Sequence, residues 1–109
     1  MRKVTRQVVT AFINRESRKV GNTKTDGQHL YLHGNLIAVW SDSGEIVGSL
    51  AGWNTPTTRE RLNGLCELIG SNARFYQKSG EPRFRDYTGD TRIDPKAWFY
   101  LGGARNQAN

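Results

Sequence analysis

TDGQHLYLHGNLIAVW, residues 25–40, decides the fold. Asp26-Gly27 and Gly34-Asn35 are dipeptides that accept the positive φ of two-residue hairpin loops. Such loops also set register. Around the first, the spacing predicts Lys24 opposite His29, Thr23 opposite Leu30 and Asn22 opposite Tyr31. Around the second it predicts Leu32 opposite Ile37, Tyr31 opposite Ala38, Leu30 opposite Val39 and His29 opposite Trp40. Asp42-Ser43-Gly44 is a third turn; it returns residues 45–50 with Val47 near Val39 and Gly48 near Ala38. The period of two then sorts the side chains onto two faces. Leu30, Leu32, Ile37, Val39 and Val47 form the expected core face. The other face carries Lys24, His29 and Trp40, then Asn22, Tyr31, Ala38 and Gly48, then Val20, His33, Leu36 and Leu50.

Helical periods flank this sheet. Val4, Val8, Ala11 and Phe12 recur at i, i+4, i+7 and i+8, predicting a helix over 4–17 with Arg2, Lys3 and Arg6 at its start. Leu62, Leu65, Cys66 and Ile69 form a second stripe, predicting a helix over about 58–69, with Thr57 and Glu60 as a capping box. Gly64, inside it, is expected to permit close approach to the sheet. RFYQKSGEPRFRDY (74–87) reads as a hairpin turning at Ser79-Gly80. Phe75 and Phe84 point one way; Arg74, Tyr76, Lys78, Arg83 and Arg85 point the other. Pro82 cannot donate to a ladder and assigns its strand to an edge. Residues 98–101 are strand-like. The expected fold is α+β: an N-terminal helix, a three- or four-stranded antiparallel meander, a second helix and a C-terminal β-hairpin. One domain over 1–103 is expected, with a flexible tail over 104–109.

The net charge of +6 is uneven. Residues 1–24 hold seven Lys/Arg and one acid, residues 25–58 hold three acids and no Lys or Arg, and residues 59–109 hold nine Lys/Arg and six acids. This field favours nucleic acid or an acidic protein surface as partner. No apolar run approaches the roughly 20 residues of a membrane span, and the basic start lacks the apolar core of a signal peptide. The single Cys66 builds no disulfide framework. A cytoplasmic protein with no membrane partner is expected. Oligomeric state is left open, with pairing of exposed strand edges as a route to a homodimer.

His29 and His33 share a strand face but stand about 13 Å apart at roughly 3.3 Å per residue, so one metal ion cannot take both. No metal site and no cofactor is expected. Cys66 lies on the apolar stripe of a helix, a core position rather than a nucleophile's. No G-x-S-x-G elbow and no phosphate loop occurs. His29 or His33 with Asp26 is the best acid–base set, and two surface histidines on a sheet explain it more simply. No enzyme, and no catalytic residue, is expected.

Nucleic-acid binding needs cations for phosphates and rings for bases. Arg74, Tyr76, Lys78, Arg83 and Arg85 offer both on one hairpin face; Lys24, His29, Tyr31 and Trp40 offer both on the first sheet; Arg2, Lys3 and Arg6 add charge. A solvated outer face, or rings packed beneath a helix, is the structural alternative in each case.

VGNTKTDG (20–27), LHGNLIAVW (32–40), AGWNTPTTRERLN (51–63) and FYQK (75–78) resemble small uncharacterised proteins of tailed phages and prophages. The resemblance covers roughly residues 4–80 and carries no catalytic residue. It implies a phage-type protein acting by binding. Nucleic acid is the first partner expected. The alternative is inhibition of a host protein, such as a polymerase or a defence nuclease complex, by occluding its surface in the manner of an anti-CRISPR protein.

Overall fold

The computed structural model describes residues 1–103 of the 109-residue chain; the tail expected over 104–109 lies outside the described residues. The elements in order are α1 (Lys3–Ile13), β1 (Arg18–Val20), β2 (Thr23–Thr25), β3 (His29–Leu32), β4 (Asn35–Trp40), β5 (Glu45–Gly48), α2 (Pro56–Leu68), β6 (Arg74–Lys78), β7 (Glu81–Asp86), β8 (Gly89–Arg92) and β9 (Phe99–Gly103). The fold is α+β, with two antiparallel sheets. One sheet has six strands in the order β1-β2-β3-β4-β5-β9; the other has three, β6-β7-β8. The meander is thus longer than expected, and the C-terminal hairpin gains a third strand.

Helix α1 ends earlier than the periodicity suggests. Arg15 adopts φ 61°, the Glu16 N–H donates to the Ala11 carbonyl at 2.8 Å, and the Arg15 N–H donates to Phe12 at 3.1 Å. This is a Schellman closure, hidden because Arg occupies the position that usually holds Gly. Residues 18–20 are thereby freed to form β1. The carbonyl of Arg15 also presses on Gly27, where an added Cβ would lie 2.7 Å from it.

Helix α2 starts at Pro56, and its N-cap is Thr55, not Thr57. A residue before proline is pushed to extended backbone, and proline suits the first helical position. Thr55 has φ −113° and ψ 155°, and its hydroxyl accepts the Thr58 N–H. Glu60 instead reaches α1. Gly64 admits that helix rather than the sheet: an added Cβ would meet Thr5 Cγ2 at 2.6 Å.

The decisive hairpin departs from the expected register. Its two-residue turn is His33-Gly34, with φ 52° and 78°, one residue early. Tyr31 pairs with Leu36, and a bulge then sets Leu30 opposite Ala38 and His29 opposite Val39, where Val39 and Trp40 were expected. A bulge places two successive side chains on one side, so Ile37 and Ala38 are both buried. Every later residue of β4 changes face. Trp40, expected beside His29, is buried in the core at 2% exposure, while Val39 and Val47 move outward and are half-buried. The Asp26-Gly27 loop is wider than two residues, so Thr25 pairs with Leu30 and Lys24 with Tyr31. That shift of two keeps the faces unchanged. Across β4 and β5 the pairs Ala38–Gly48 and Val39–Val47 form as expected.

The hairpin turns at Ser79-Gly80, with Phe75 and Phe84 paired and buried. Pro82 is nevertheless in the central strand. Its carbonyl accepts from Ile93 at 3.0 Å, just past the end of β8. The N and C=O of a strand residue point the same way, so the proline forfeits only the reciprocal bond to Ile93, at the end of that ladder.

One core joins the layers. α1 and α2 cover the same side of the six-stranded sheet, over Leu30, Leu32, Ile37, Trp40, Ile46 and Leu101. The Trp40 indole N–H donates to the Phe12 carbonyl at 2.9 Å. The smaller sheet is clamped to α2 by Asn63, which exchanges two hydrogen bonds with the backbone of Phe75. Phe75, Phe84 and Phe99 stack into one cluster against it.

Candidate nucleic-acid interface

The helices leave the other side of the six-stranded sheet uncovered. Register puts Lys19, Lys24, Tyr31 and Leu36 in one row across β1–β4. His29, Val39, Val47 and Tyr100 form the next row across β3, β4, β5 and β9. None of these eight is buried, and Lys19, Lys24 and Tyr100 are exposed. The Lys24 ammonium lies 5.4 Å from the centroid of the Tyr31 ring, and the His29 and Tyr31 rings are 6.0 Å apart. Three of the four residues expected on this face, Lys24, His29 and Tyr31, are therefore together. Trp40 is not: the bulge has taken it to the core, where Arg15 caps its ring from outside at 3.9 Å.

A hollow of about 230 Å³ opens at one end of this face, lined by Lys19, Gly21, Asn22, Lys24, Tyr31, His33 and Gly34. Its rim is held from below. The buried Arg61 guanidinium donates to Thr23, Thr5, Glu60 and Asn22, and the Asn22 amide donates to His33 Nε2 at 3.3 Å. Glu60 also accepts the Arg2 backbone N–H. Burial works to raise the Glu60 carboxyl, but bonds from Thr5, Arg2 and Arg61 outweigh it and hold the group below its usual range. Sequence reasoning missed this hub. Its only signal was an arginine inside an apolar helical stripe.

His29 is anchored rather than free. Asp26 Oδ2 lies 2.9 Å from its Nδ1, and Asp26 Oδ1 accepts the backbone N–H groups of Gln28 and His29. Those backbone bonds, with the His29 ring, lower the Asp26 carboxyl to about 2. The pair closes the loop between β2 and β3. Cys66 is buried, and desolvation pushes its thiol up to about 12, so it holds no thiolate. Among the described residues no group of three His, Cys, Asp or Glu could hold a metal ion.

The second expected face also forms. Arg74, Tyr76, Lys78, Arg83 and Arg85 all lie on the outer side of the smaller sheet, joined by Arg92 from β8. Much of its charge is already used. Arg83 pairs with Asp90 at 3.2 Å and Arg92 with Glu81 at 3.1 Å. Arg74 donates to the carbonyls of Ser71 and Ala73. The Tyr76 hydroxyl and Arg83 keep Asp90 below the usual carboxylate range. Lys78 and Arg85 have no carboxylate partner among the described residues, and Arg85 lies 5.8 Å from the Tyr76 ring.

The contrast is with residues 1–24. Arg2, Lys3, Arg6, Arg15, Arg18, Lys19 and Lys24 are all exposed, and none is in an ion pair among the described residues. They lie on or beside α1, β1 and β2, which pack against one another, and Lys19 and Lys24 among them belong to the open face.

The family model described as Kyanoviridae Gp96 protein matches residues 1–103. The chain belongs to this family of phage proteins. No curated protein and no solved structure matches it. No described helix is long and apolar enough to cross a membrane.

Proposed function

We propose that this member of the Kyanoviridae Gp96 family is a non-catalytic binding protein whose partner is nucleic acid. The contact surface is the open face of the six-stranded sheet together with the cationic flank of α1, β1 and β2. One observation carries this reading: the seven cations of residues 1–24 are exposed and in no ion pair among the described residues, and one of them, Lys24, lies over the partly exposed Tyr31 ring. Unpaired cations can neutralise phosphates and release counterions, whereas an arginine already matched to a carboxylate must first break that pair. The arginine hairpin is therefore the weaker contributor, through Lys78 and Arg85. No cofactor is needed for this role.

The test is purification of tagged protein from host cells with and without nuclease, followed by binding of the purified protein to nucleic acid over a range of salt. Co-purifying nucleic acid, with log affinity falling linearly against log salt, is the expected result. Absence of salt-sensitive binding overturns the reading.

Leu36, Val39, Val47 and Tyr100, partly exposed on the same face, favour a second reading, in which a host protein is covered and inhibited there. It predicts a host protein of fixed stoichiometry that survives nuclease treatment.

A further inference from the structure

We infer that the nucleic acid is single-stranded, with a base stacked on Tyr31 and the adjoining phosphates on Lys24 and Lys19. This rests on the reading above and specifies its ligand. Lys19, Lys24 and Tyr31 form one row across three neighbouring strands. Strands lie about 4.7–4.9 Å apart, so Lys24 stands one strand from the ring and Lys19 two. That places a cation beside the stacked base and a second beyond it, along the path of a nucleic-acid backbone. The Lys24 ammonium lies over the Tyr31 ring at 5.4 Å from its centroid; Lys24 is exposed, so its side chain can swing aside to a phosphate as a base takes that ring face. The hollow beside the ring is kept clear by Gly21 and Gly34, at which an added Cβ would meet nothing within 4 Å. Charge complementarity selects the occupant: neither lysine has a carboxylate partner among the described residues, and the carboxylate nearest this row in sequence, Asp26, is engaged by His29. A duplex shields the faces of its bases. Only an unpaired strand can use the lysines and the ring together.

The test compares fluorescence anisotropy of a labelled oligothymidylate with that of a labelled duplex, for the parent protein, Tyr31→Leu and Tyr31→Phe. Tyr31→Leu keeps an apolar side chain on the sheet, and a thermal melt of each variant confirms folding. The expected result is tighter binding of the single strand. Tyr31→Leu should weaken it about 5- to 150-fold, the range that loss of one base–aromatic stack implies, while Tyr31→Phe retains it. Equal affinity for both nucleic acids, with Tyr31→Leu unchanged, overturns the single-strand inference and leaves nucleic-acid binding standing. No salt-sensitive binding to either overturns both.

Discussion

Trp40 shows how a single inserted residue redirects a side chain. Alternation from Leu30 places the indole beside His29 as a ligand platform; the bulge at Ile37 turns it inward, where its N–H meets the Phe12 carbonyl. The strand pattern was legible, but the bulge was not. Leu36, Ile37, Ala38 and Val39 are all apolar, so neither parity exposes a charge and the sequence is silent about which one wins. Trp40→Ala is expected to cost about 3–5 kcal/mol in chemical denaturation, as for other buried large aromatics; a change under about 1 kcal/mol would mean that the indole is not packed. Asp26 makes a pH prediction. Its carboxyl is lowered from 3.8 in the unfolded chain to about 2, so its stabilisation is present above pH 4 and is lost as pH falls through about 2. Asp26→Asn should flatten the acid limb of the stability curve over that window, measured by thermal melts against pH.

Between the two helices, close approach and a buried charge act together. Gly64 lets α2 lie against Thr5, and the same contact delivers Arg61 and Glu60 to the Thr5 hydroxyl. Alanine at Gly64 would gain about 1 kcal/mol of helix propensity. Its Cβ would lie 2.6 Å from Thr5 Cγ2, so Gly64→Ala is expected to destabilise by about 1–3 kcal/mol net. A rise in Tm for this variant would refute the packing argument. Arg61→Ala should be more severe, about 3–5 kcal/mol, because Glu60 loses its partner charge and two buried threonine hydroxyls each lose the donor they accept from; equilibrium unfolding reads it. Both helices were legible from their stripes, but their ends were not. One end is a Schellman turn without glycine, and the other is a cap set by Pro56 rather than by the capping-box pattern. The third strand of the small sheet escaped notice because GDTR, with all four residues exposed, carries no apolar alternation.

For the molecule as a whole, the sequence exposed the charge asymmetry but not which cations are spoken for. Arg83 looked as available as Lys24, and neither Arg92 nor Lys19 was singled out. The partners of Arg83 and Arg92, Asp90 and Glu81, lie on neighbouring strands of the small sheet, and pairing them takes the β7–β8 register that no turn dipeptide announced. The result is a molecule with one closed sheet face, two basic surfaces and a clear difference in free charge between them. The most direct measurement compares two charge-matched double variants, Lys19→Gln/Lys24→Gln and Arg83→Gln/Arg92→Gln, by salt titration of their affinity for single-stranded nucleic acid. The sheet-face pair should lose most of the affinity and lower the slope of log affinity against log salt by about 0.7 for each phosphate contact removed, while the hairpin pair keeps the parent slope. The reverse pattern, with the hairpin variant losing binding and the sheet-face variant retaining it, would contradict the assignment of the open face as the binding surface.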